Sequence, residues 1–195
     1  MPASSVAGRG PVHFTLALSL CAALLSAGPA HAQEREVLPE SAVTTEHVVT
    51  IGGQRVPYRA TAGTQPVWGD DDQPIASVFY VYYERSDVRD RTNRPLVISF
   101  NGGPGSASVW MHIGYTGPRF LEIDDEGFPI QPYGTRPNEH SILDVADIVY
   151  VDPVNTGFSR IVGDADRRQF FGVNEDIAYL AQWIDTFVSR QGRWN

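Results

Sequence analysis

At 195 residues the chain is long enough to close one core, and its 42% hydrophobic and 19% charged content describes a folding protein and excludes a disordered one. The formal charge is -8, every basic residue is Arg, and no basic run tracks a phosphate backbone, which argues against nucleic acid as a partner.

Residues 1–32 carry the three parts of a cleavable export signal: Arg9 in the leading region, the apolar run Phe14 to Leu25, and the small-residue site Ala30-His31-Ala32. The run is shorter than the roughly 20 apolar residues of a membrane span and is closed by Gly28 and Pro29, so it predicts export to a periplasm or the extracellular space with no stable membrane anchor. The only cysteine, Cys21, lies inside this segment. Leu18-Ser19-Leu20 before it lacks the small residue of a lipid-attachment signal. The mature chain, from Gln33, therefore holds together without a disulfide in an oxidising compartment.

A polar linker occupies 33–44. Glu46 to Ile51 and Gln54 to Ala60 then read as antiparallel strands turning on Gly52-Gly53. Asp70, Asp71 and Asp72 between Gly69 and Pro74 read as a solvated turn and not as a metal site, and no motif for a cofactor occurs. The β-branched and aromatic stretch Ile75 to Tyr83 is the clearest strand by composition.

After a charged loop, the continuous apolar run Leu96 to Phe100 has the pattern of a strand buried on both faces in the middle of a parallel sheet. It ends in Asn101-Gly102-Gly103-Pro104-Gly105, and such a loop at the carboxyl end of a central strand is where α/β enzymes place their sites. Tyr115 to Arg136 reads as loops and short strands, and Val145 to Val151 as another buried strand ended by Asp152-Pro153. A helix runs from Asn174, its expected cap, to Arg190. Its apolar face is Ile177, Leu180, Ala181, Ile184, Phe187 and Val188, and Gly192 is its stop.

The loop Asn101 to Ser108 resembles the N-G-G-P-G-C-S-S loop of the serine carboxypeptidases. Gly117-Pro118, Asn138 and the stretch Val151 to Ser159 extend the resemblance in the family's order, over roughly residues 95–195. It implies that 45–195 is the N-terminal portion of an α/β-hydrolase, with a mixed, mostly parallel central sheet and flanking helices, incomplete here. It also implies hydrolysis of peptide C-termini through an acyl-enzyme, with a peptide or protein as substrate.

The same resemblance makes the Gly103 amide one donor of the oxyanion hole and places Asn101, with Gly102, against the substrate's free carboxylate. Losing one oxyanion donor commonly costs about 100-fold to 1000-fold in rate. On the residues alone, Asn101 equally suits a tight turn after the strand. Tyr115 stands where the family has Glu, which puts carboxylate recognition by paired acids in question, and Ser106 stands where it has a disulfide-forming Cys.

No G-x-S-x-G elbow occurs. Ser106 and Ser108 sit where a serine caps or packs, and His47, His112 and His140 precede the place where the elbow belongs, so the chain reads as a fragment without the catalytic serine, aspartate and histidine. Two other readings are a proline iminopeptidase-like hydrolase, which carries His where this chain has Asn101, and a secreted noncatalytic binding domain. The oligomeric state is not encoded in any feature of the sequence.

Overall fold

The computed structural model describes residues 37–102 and 105–194. The expected signal at 1–32 lies outside them. The expected hairpin forms from β1 (Ser41–Ile51) and β2 (Gln54–Trp68), with Gly52 and Gly53 at φ 54° and 79°, the positive values that a two-residue turn between twisted strands demands. It is longer than its apolar alternation suggests. β1 starts at Ser41, inside the stretch read as linker, because hydroxyl pairs replace apolar ones there: Ser41 meets Thr64 at 3.2 Å and Thr44 meets Thr61 at 2.8 Å. Asp70 to Asp72 form the turn into β3 (Pro74–Arg85), where the Gly69 amide donates to the Gln73 carbonyl at 2.8 Å and Asp72 adopts φ 58°.

β4 (Leu96–Ser99), the small pair β5 (Arg119–Leu121) and β6 (Thr135–Pro137), then β7 (Asp147–Val151) and β8 (Arg160–Ile161) complete the strands. The main sheet runs β1-β2-β3-β7-β4, with β8 against the start of β3. It is mixed, as expected of this fold class. The expectation of mostly parallel strands does not hold for this part of the chain: only β4 and β7 run parallel, because β1 to β3 are consecutive strands joined by short turns, which forces antiparallel pairing. Among the described residues β4 lies at the end of the sheet order. Its four residues are half-buried, and among the described residues it pairs only with β7, whose five residues are all buried.

The helix α1 (Val173–Gln191) packs on one face of this sheet. Gly192 closes it at φ 62°, as predicted, but its cap is Gly172, and Asn174 falls in the first turn. The buried stripe is Tyr179, Leu180, Trp183, Phe187 and Val188, whereas Ile177 is 62% exposed. The aromatic side chains at i, i+4 and i+8 bring more apolar area than Ile177 and turn the helix toward themselves. Trp183 and Phe187 stack at 5.0 Å and meet Tyr80 and Tyr82 edge-on. Gln182 fixes the helix laterally: it accepts from the Trp68 amide at 2.8 Å and donates to the Trp68 carbonyl at 3.1 Å.

A fully buried carboxylate, Asp147, joins four parts of the fold at the start of β7. It accepts from the Arg85 amide at 2.9 Å, from Arg94 Nε at 2.8 Å and from Arg193 at 2.5 Å, and Arg193 also donates to the Arg94 carbonyl at 2.6 Å. The ends of β3 and α1 are thereby tied to the starts of β4 and β7. Removing one member of a buried ionic cluster leaves the others unpaired out of water, so Asp147→Ala is expected to cost about 3–5 kcal/mol in urea unfolding. A loss under about 1 kcal/mol would show the cluster to be dispensable.

On the other face, a seven-residue π-helical segment (Trp110–Thr116) follows the loop after β4 and drops His112 between Tyr83 and Tyr150. His112 stacks on Tyr150 at 4.6 Å and pairs through Nε2 with the Tyr83 hydroxyl at 2.6 Å, while Thr116 meets the Tyr150 hydroxyl at 2.8 Å. Burial pushes the imidazole down to about 4 and raises both tyrosines, so all three rings are held neutral. A depressed histidine contributes stability that is complete above the unfolded value of 6.5 and is lost as pH falls toward 4. Between these limits stability falls by up to about 1.4 kcal/mol per pH unit from this group alone. Urea midpoints at about pH 7 and about pH 5 are expected to separate more for the native chain than for His112→Phe, and equal separations would refute the assignment.

Candidate functional site

The parallel pair β4–β7 sends both carboxyl ends to the same end of the sheet, where α/β proteins gather their sites. From β4 the chain passes through Phe100, Asn101 and Gly102, and from β7 through Asp152 to Ser159. What joins the two segments is a set of bonds from Ser108 and Asp152, both buried. The Ser108 hydroxyl accepts from the Asn101 amide at 3.1 Å and donates to the Val151 carbonyl, and the Ser108 amide donates to Asp152 Oδ1 at 2.8 Å.

Asp152 serves its own strand as well. Its Oδ2 accepts from the Phe158 amide at 3.4 Å, and its carbonyl accepts from the Ser159 hydroxyl at 2.7 Å, which in turn accepts from the Phe79 amide of β3 at 2.8 Å. Gly157, at φ 47°, is required by this arrangement, since a Cβ there would stand 1.9 Å from Asp152 Oδ2. The loop entered at Asn101 is therefore tied at both of its ends.

Between this loop, the turn Pro153 to Thr156 and the start of α1 lies a groove of about 580 Å³. Asn101, Ser106, Thr156 and Asp176 supply its polar atoms, and Phe171 and Ile177 are among its apolar ones. The structure thus brings Asn101 and Gly102 of the sequence-predicted set into one concavity. The Asn101 side-chain amide donates to the Gly102 carbonyl at 3.0 Å, the local bond of a turn-forming asparagine. A side chain placed at Gly102 would meet nothing within 4 Å, so a ligand has free approach to this stretch of backbone. Gly103, the expected oxyanion amide, lies outside the described residues.

Tyr115 is 64% exposed, and its carbonyl accepts from Asn138 Nδ2 at 3.0 Å. Asn138 itself is fully buried and also donates to the Gly117 carbonyl at 2.7 Å, so its part is to hold the Gly117-Pro118 corner. Ser108 is committed to the strand clamp, in keeping with a packing role. The His112 ring is bonded to Tyr83 and the His47 ring to Thr45 at 2.7 Å, and neither ring bonds a serine. The residue to which sequence reading gave no part in the site is Asp152, read as a strand terminator within the stretch Val151 to Ser159 that resembles the family. Its signal was the glycine five positions on, whose need for φ > 0 and close approach becomes visible only with the carboxylate in place.

Comparison with known proteins agrees with this geometry. The family model described as serine carboxypeptidase matches residues 54–193. "Serine carboxypeptidase-like 37" of Arabidopsis thaliana is 27% identical over 71% of this chain and 27% of its own length. "Carboxypeptidase S1 homolog B" of Arthroderma otae is 35% identical over 60% of this chain and 16% of its own. The crystal structure of Kex1(delta)p, a prohormone-processing carboxypeptidase from Saccharomyces cerevisiae, superimposes with a TM-score of 0.52 at 25% identity, over 67% of this chain and 28% of that one. The chain spans about a quarter or less of these relatives. The family match, which spans residues 54–193 and includes the tied Asn-Gly loop and the parallel strand pair, places the chain in the serine carboxypeptidase family.

Proposed function

We propose that this chain supplies the substrate-carboxylate and oxyanion side of an exported serine-type carboxypeptidase, which hydrolyses peptide C-termini through an acyl-enzyme. The proposal assigns the serine, aspartate and histidine of the reaction to no residue of this chain. The observation that carries the proposal is the clamp on the loop: Ser108 and Asp152 hold Asn101 and its following backbone at one wall of the groove, independent of substrate. Preorganised donors of this kind stabilise developing charge because they need not reorient during the reaction. For the Asn101 amide to reach a substrate carboxylate it exchanges its bond to the Gly102 carbonyl for a charge-assisted one.

Among the described residues that line the groove none is basic, so the side-chain amide of Asn101 and backbone N–H groups carry carboxylate recognition, with Tyr115 standing where the family has Glu. An N-terminal exopeptidase of the proline iminopeptidase kind would instead require a free amine, and a binding domain would turn over nothing. Peptides blocked at one end separate these readings.

In protein expressed from the full coding sequence, an N-blocked dipeptide with a free carboxylate is expected to be cleaved and its C-terminal amide to be a poor substrate. Asn101→Ala is expected to raise KM for the free acid by about 10-fold to 100-fold, the worth of a hydrogen bond to a charged group, with kcat changed far less. Cleavage that is indifferent to blocking the carboxylate, or a coding sequence with a stop codon directly after Asn195, would contradict the proposal.

A further inference from the structure

A second concavity lies on the other side of the π-helical segment, sharing no residue with the groove at Asn101. Trp110 and Ile113 of that segment and Phe120, Leu121 and Ile123 from the β5 side form its walls around about 290 Å³. That volume is at the small end of ligand pockets, which run from about 300 Å³ upward, and takes a group about as large as one side chain. The walls stay open to solvent; Trp110 is 56% exposed although apolar.

The pocket has one charged member, Arg136, and no carboxylate. Arg136 faces Phe120 across the β5–β6 pair, its guanidinium carbon 5.1 Å from the ring centroid. Stacking fixes the plane of the guanidinium and leaves its N–H edge free. Ion pairs among the described residues engage Arg59, Arg85, Arg91, Arg94, Arg190 and Arg193. Arg136 is in none of them, and its guanidinium donates no hydrogen bond to any described residue. An oriented, unspent guanidinium at the edge of an apolar cup matches an apolar group that carries an anion. The planar two-oxygen anion that fits its N–H fork is a carboxylate.

We infer that this pocket binds a small apolar carboxylate, the apolar body between Trp110, Ile113 and Phe120 and the carboxylate on Arg136. The inference does not depend on catalysis by the groove. Two sources share this chemistry: a free aryl or alkyl acid, and the C-terminal residue of a peptide.

The test is isothermal titration of the full chain with 3-phenylpropionate and N-acetyl-L-phenylalanine, each beside its amide. Both acids are expected to bind saturably, at least about tenfold more tightly than their amides, and tighter binding of one or the other assigns the free acid or the peptide end as the source. Arg136→Gln is expected to lower the 3-phenylpropionate affinity about tenfold, with Arg136→Lys between the two, because Lys keeps the charge without the fork. Asn101→Ala is expected to leave 3-phenylpropionate binding unchanged, which separates this pocket from the groove. Equal affinity for acid and amide, absence of saturable binding, or binding lost in Asn101→Ala and kept in Arg136→Gln would each overturn the inference. The acid-to-amide ratio is read on the unaltered chain and does not rest on any variant folding.

Discussion

The side chain of Asp152 lies where β7 ends, and from there its two oxygens reach the backbone of the loop that leaves β4 and of the turn that leaves β7. Two parallel strands need a long connection and cannot stabilise each other's exits with a short turn, so loops at their carboxyl ends are free to drift unless something fixes them. A carboxylate accepting backbone N–H bonds does so with charge-assisted strength at a place where the amides have no ladder partner. Ser108 completes the link, since its hydroxyl and amide serve Asn101, Val151 and Asp152 together.

β7 is bracketed by two acids with different tasks. At its start Asp147 is saturated by Arg94, Arg193 and the Arg85 amide, which fixes the frame of β3, β4 and α1. At its end the Asp152 carboxylate accepts, among the described residues, from the backbone amides of Ser108 and Phe158, and what it fixes is the wall of the groove. The four buried residues between them transmit the placement rigidly, since a packed strand interior does not shear. Trp183 and Phe187 share a core cluster with Val149 and Val151 on one face, and His112 and Tyr83 pack on Tyr150 on the other, so this strand is held from both sides.

The hairpin on Gly52-Gly53, the strands around Ile75 and Val149, the helix and the family loop were all legible in the sequence, because each is written in local pattern: paired glycines, apolar runs, a period near 3.6, a contiguous motif. What was not legible is assembled from distant residues. The Asp147 cluster joins positions 85, 94, 147 and 193, and no spacing rule links them. The early start of β1 rests on threonine and serine pairs that hydrophobic alternation does not register. The apolar run at Leu96 says that a strand is suited to burial on both faces, but not which neighbour covers its outer edge. The orientation of α1 turned on aromatic area at Tyr179 and Trp183, residues that a count of aliphatic positions leaves out. Asn101 and Gly102 were found through the motif, and Asp152 lay in a matching stretch without its role being visible, because an Asp before a Pro reads as a terminator whatever its side chain does.

The claim on which the rest stands is that Asp152 clamps the loop after β4 through backbone amides, and amide hydrogen exchange at Ser108 and Phe158 reads it directly. The clamp predicts slow exchange at both amides, slower than at exposed Gly102, and acceleration of both by at least about tenfold in Asp152→Ala while amides of Val149 in the middle of β7 stay protected. Ser108 and Phe158 amides that exchange as fast as Gly102 in the native chain would contradict it.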